Sequence, residues 1–116
     1  MADDTQIWNQ YLTELKDSRD TSFFNEDFLV VVNGFIEKMK ILLVDDFVYP
    51  VAAPDHEEST MSMQWQKESN FLVFDLYSSG LFDWTFTDTG IGYYDEGGAD
   101  CSIPDLDEII LMWRGK

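Results

Sequence analysis

Apolar residues return every third or fourth position near the start of this chain, at Ile7, Trp8, Tyr11, Leu12 and Leu15. That spacing gathers them on one side of an α-helix and leaves the polar residues on the other. Asp3 or Asp4 can cap its first turn, and the helix is expected to end near Asp17, before a loop-like stretch at 17–22. Asn25 reads as the cap of a second helix, with Glu26 and Asp27 at its positive end and Lys38 and Lys40 near its negative end. Phe28, Leu29, Val32, Phe35, Ile36, Met39 and Leu43 form its apolar stripe, although the run Val30-Val31-Val32 also suits a strand.

Beyond Asp45 the period falls from about 3.6 residues to two. Residues 47–51 read as a short strand, which Pro50 places at an edge or ends, and 54–59 read as an acidic loop. Met61, Met63 and Trp65 then alternate with polar partners, as in a half-buried strand. Two more strands, at 71–77 and 81–87, flank the turn Ser78-Ser79-Gly80, and 91–94 can add a short fifth. Residues 95–101 read as a Gly-rich acidic loop. Pro104 suits the first turn of a closing helix with Leu106, Ile109, Ile110 and Trp113 on its buried side and Gly115 as its stop. Two helices, an antiparallel meander of four to five strands and a final helix make an α+β protein, with helices covering one face of the sheet. At 116 residues, the expectation is one acidic α+β domain spanning 1–116.

Charge changes this picture more than composition does. With 23 acids against seven bases the net charge is −16, yet 45% of the residues are hydrophobic, far from the make-up of a disordered acidic tail. From Glu68 to Trp113 there are ten acids and no Lys or Arg. Such a stretch cannot neutralise itself, and its field stays open to a cationic partner. Sixteen charges match roughly 27 Å of duplex DNA, while a domain of this length should be about 35 Å across. The excess is comparable to that of DNA if most of it faces one way. The opening Met1-Ala2-Asp3-Asp4 lacks a secretory pattern, and no apolar run approaches about eighteen residues, so a cytoplasmic, membrane-free protein is expected. The single Cys101 agrees with a reducing compartment, and the high net charge disfavours self-association, so a monomer is expected.

Candidates for catalysis are few. His56, between Asp55 and Glu57-Glu58, would be held cationic by its neighbours, the wrong state for a general base. No calcium-loop pattern is present, although Asp88, Asp95, Glu96 and Asp100 among glycines could gather a loose cation. Asp75 and Asp83 lie within strands and are the carboxylates that could form an acid/base pair, with solvent-facing positions the plainer expectation. Gly90-Ile91-Gly92 is a turn fragment whose acidic surroundings repel phosphate. The reading is of a protein that is not an enzyme, with no cofactor, no metal and no direct nucleic-acid binding. Most aromatics fit core stripes, among them Trp8, Phe28, Phe35, Trp65, Phe71, Phe74, Phe82, Trp84, Phe86 and Trp113. Tyr77, Tyr93 and Tyr94 lie beside acids, a good setting for contact with arginine.

In size, charge and mixed α/β pattern the chain resembles the small acidic DNA-mimic proteins of bacteria and phages, especially the class directed at the histone-like HU protein. The resemblance implies a carboxylate-rich surface that occupies the DNA-binding site of a basic protein and blocks or modulates its DNA binding. From the chain itself, the acids expected to meet that partner are Asp83, Asp88, Asp95, Glu96, Asp100, Asp105, Asp107 and Glu108, joined by Asp55, Glu57 and Glu58. Strands repeat a charge about every 6.6 Å and helices about every 5.4 Å, so both can present a phosphate-like series. A second reading is an antitoxin or immunity protein that neutralises a basic toxin such as a nuclease. A third is a domain whose acids serve solubility alone.

Overall fold

Alternation along residues 60–88 decides the architecture, because it gives three consecutive strands one apolar side each. In the computed structural model, which describes residues 3–17, 23–90 and 94–115, Met61, Met63 and Trp65 stand opposite Leu76, Phe74 and Leu72. These in turn stand opposite Phe82, Trp84 and Phe86. All but the half-buried Trp84 are buried. The strands are β1 (Val51–Asp55), β2 (Thr60–Lys67), β3 (Asn70–Leu76), β4 (Phe82–Asp88) and β5 (Tyr94–Cys101), in the order β1-β2-β3-β4-β5 with every pair antiparallel.

The helices are α1 (Asp4–Asp17), α2 (Glu26–Leu43) and α3 (Leu106–Arg114). Asp3 caps α1 by accepting from the Gln6 N–H (2.8 Å), and Asn25 Oδ1 caps α2 by accepting from the Phe28 N–H (2.9 Å). Gly115 ends α3, its N–H reaching the carbonyls of Leu111 and Met112. Trp8 and Leu12 from α1, six residues of α2 and Leu106, Ile109, Ile110 and Trp113 from α3 join the apolar sheet face in one core. At its centre Phe35 packs edge-on against Phe74 and Phe82, with ring centroids 5.1 and 5.5 Å apart. Burying a side chain of this size contributes about 1.5–3 kcal/mol, which is why the stripe of α2 faces the sheet. Val30 is exposed and Val32 buried, so the Val30-Val31-Val32 run obeys helical spacing.

Four expectations are corrected. Residues 47–50 belong to no strand, and the first strand lies four residues later, carrying Pro54 on the edge of the sheet. The expected acidic loop shrinks to a turn at 56–59. Residues 95–101, read as a loop, form most of β5. Glycine, alanine and aspartate have low strand propensity, but the ladder to β4 supplies what they lack. Phe71 is also not in the core: it sits opposite Thr87 on the helix-free face, half-buried. The expected strand at 91–94 falls largely outside the described residues.

Candidate functional site: an acidic open sheet face

The helices cover one side of the sheet, so the other side shows the alternate residues of each strand. Across its middle run Ala53, Ser62, Asp75 and Asp83, each directly opposite the next. Asp55 lies one step along β1 on the same face. Asp75 and Asp83 are thus cross-strand partners of like charge, an arrangement that costs stability. Burial pushes the Asp75 carboxyl above its usual range, and the carboxylates of Asp55 and Asp83 push the same way against a hydrogen bond from Ser62.

Asp83 is held from two sides. The Tyr77 hydroxyl donates to Oδ2 (2.9 Å) and the Asp100 N–H to Oδ1 (3.0 Å), and the first of these bonds raises the Tyr77 phenol. The second bond ties β5 across a bulge, where the β4–β5 register shifts between Phe82 and Trp84 and Asp100 takes φ 54°. Asp55 caps the β1–β2 turn, accepting from the Glu57 and Glu58 N–H groups (3.0 and 3.3 Å) and leaving both glutamates exposed.

Other expected contact residues are placed differently. Asp88 is a hub at the far end of the sheet: Ser69 Oγ (3.1 Å) and the Gly90 N–H (2.8 Å) donate to it, and the Asn70 amide, oriented with nitrogen toward the carboxylate, donates to both its oxygens. Asp105 accepts from the N–H and hydroxyl of Ser102 and so starts the 3-10 turn Ile103–Asp105 that leads into α3. Asp107 pairs with Lys38 at 3.4 Å, and Glu108 is exposed on α3. Asp95 stands opposite Thr87 on the open-face side, whereas Glu96 stands opposite Phe86 on the helix side. The eleven expected acids therefore divide among the open face, the β1–β2 turn, the far end of β4, β5 and the first turns of α3.

The bases are sorted more sharply. Lys16–Glu26 (2.9 Å), Lys38–Asp107 (3.4 Å), Lys40–Glu37 (3.2 Å) and Arg114–Asp46 (3.6 Å) are the ion pairs among the described residues, and all lie on the helices and the turn that ends α2. Between Val51 and Cys101 the chain has ten acids and a single base, Lys67. That charge asymmetry between layers was legible only in part, because base-free sequence does not say which face an acid takes.

His56 packs edge-on against Phe23 in the β1–β2 turn, with centroids 5.8 Å apart. Among the described residues no three His, Cys, Asp or Glu side chains converge as a metal site. Two clefts, of about 330 and 470 Å³, are lined by residues that include Trp8, Tyr11 and Tyr49, and Trp65, Lys67 and Trp113, respectively. Neither lining includes Asp75 or Asp83. Among the described residues no helix is long and apolar enough to cross a membrane. No protein-family model matches the chain, and no curated protein or solved structure matches it.

Proposed function

We propose that this protein is a DNA mimic, whose open sheet face occupies the DNA-binding surface of a basic cytoplasmic protein of the histone-like HU kind and blocks or modulates its access to DNA. The observation that carries the reading is the separation of charge by layer. Four acids of the helix layer, Glu26, Glu37, Asp46 and Asp107, are paired with bases, while Asp55, Asp75 and Asp83 stand on a strand-built face with no ion pair among the described residues. Hydrogen bonds from Tyr77 and Asp100 fix Asp83 in place. A partner's lysines and arginines, which otherwise track phosphates, would meet carboxylates held on a rigid frame.

The test is capture and competition. The full chain, immobilised, is exposed at low salt to purified histone-like HU protein and separately to a bacterial lysate, and the bound proteins are eluted with duplex DNA. Retention followed by release with DNA is expected. Failure to retain any basic DNA-binding protein, or retention of one tight partner that DNA does not displace, overturns mimicry, and the latter is the behaviour of an immunity protein. Asp75→Asn combined with Asp83→Asn should weaken retention about tenfold or more, whereas Asp107→Asn, already paired with Lys38, should change it little.

A further inference from the structure

The two edges of the sheet are finished in opposite ways. Just beyond the ends of the β3–β4 pair, the Tyr77 N–H donates to the Leu81 carbonyl (2.9 Å) and the Thr89 N–H to the Ser69 carbonyl (3.0 Å). Alternation from these points directs the main chain of odd-numbered β4 residues to β3 and of even-numbered ones to β5. Carried outward through the registers, the same count turns Ala52 and Pro54 of β1 away from β2. The Tyr11 hydroxyl accordingly donates to the Ala52 carbonyl at 2.6 Å. Pro54 has no N–H to offer. The β1 edge is closed to another strand.

On the opposite edge, the even-numbered β4 residues Trp84, Phe86 and Asp88 pair with Gly98, Glu96 and Tyr94. The main chain of β5 around Gly97 therefore faces outward, and among the described residues no strand lies beyond it. Gly97 and Gly98 are required by Trp84, whose carbonyl and indole leave no room for a Cβ, and they also leave the middle of this edge without side chains. Asp95, Glu96 and Asp100 flank it. Three carboxylates on an edge strand oppose pairing with a second copy of themselves and favour a strand of opposite charge.

We infer that β5 is a docking edge for an extended, arginine- or lysine-rich segment of the partner, which adds as a sixth antiparallel or parallel strand beside Gly97. Main-chain hydrogen bonds to the edge supply affinity, and basic side chains alternating to either side meet Asp95 and Asp100 or Glu96. The inference rests on the cationic-partner reading above and names how that partner is gripped.

A synthetic ten-residue peptide alternating arginine and valine tests it on the unaltered full chain, beside a copy N-methylated at every residue, which keeps the charge but loses the N–H groups on both edges. Binding is expected to slow amide exchange at Gly97, and N-methylation to lower affinity by about tenfold or more. Equal binding of both peptides, or amide protection confined to β3 and β4, overturns edge docking while leaving an acidic contact surface intact. Absence of peptide binding with continued capture of the basic protein also overturns it. Absence of both overturns this inference and the proposed function together.

Discussion

Asp75 and Asp83 face one another across β3 and β4 with no intervening base, and the repulsion between them is charged against folding. Asp75→Asn should therefore raise stability, by roughly 0.2–1 kcal/mol in urea denaturation at neutral pH. The pH dependence has a definite sign. Because the folded-state carboxyl of Asp75 lies above its ordinary value of 3.8, the native state holds that proton more tightly than the unfolded chain. Its unfavourable contribution is absent below the unfolded value, grows as pH rises through the folded one and is fully present above it. Asp75→Asn should remove that part of the decline from the pH–stability curve, and an unchanged curve would refute the assignment. That the two acids sit within strands was legible from the alternation around them. Their direct opposition was not, because it depends on the register of the hairpin, which a turn of Ser78-Ser79-Gly80 leaves open. Phe71 misled for a related reason: its size suggests burial, but parity with Asp75 sends it to the face that helices do not cover.

At the scale of elements, the helices and the three central strands followed from spacing, since each buries a continuous stripe. β5 did not, because Tyr94–Cys101 has no apolar alternation and, after Tyr94, a run of glycine, alanine and acids, and only the neighbouring strand reveals it. Its placement depends on glycine. A Cβ at Gly97 would lie 2.4 Å from the Trp84 carbonyl oxygen and one at Gly98 2.6 Å from the Trp84 indole nitrogen. A main-chain oxygen within the ladder has less room to retreat than a half-buried side chain. Gly98→Ala is accordingly expected to cost about 1–3 kcal/mol and Gly97→Ala more, measured by denaturant unfolding. The reverse order, or two neutral substitutions, would mean that β5 does not lie against Trp84 as described.

Over the whole molecule, about 42 × 35 × 25 Å in extent, a net charge of −16 acts on folding and on association in opposite directions. Raising salt from about 0.01 M to 0.15 M shortens the screening length from about 30 Å to about 8 Å. The melting temperature should rise over that range as self-repulsion is screened, while capture of the basic partner should fall as fewer counterions are released on binding. Calorimetry and the immobilised-chain assay read the two effects separately. A melting temperature that drops with salt would show the four helix-layer ion pairs outweighing the repulsion among the sheet acids.

The sheet order repeats the chain order, and this bears on how the protein comes together in time. Each strand need find only its immediate successor, and hairpins of this kind close in about 1–10 μs. The distant closures belong to the helices: Tyr11 must reach Ala52, 41 positions away, and Arg114 the carbonyl of Leu42, 72 positions away. Collapse of α1 and α3 onto a sheet that is already zipping should govern the folding rate, so substitutions at the helix–sheet contacts should slow refolding more than equally destabilising ones within the hairpins.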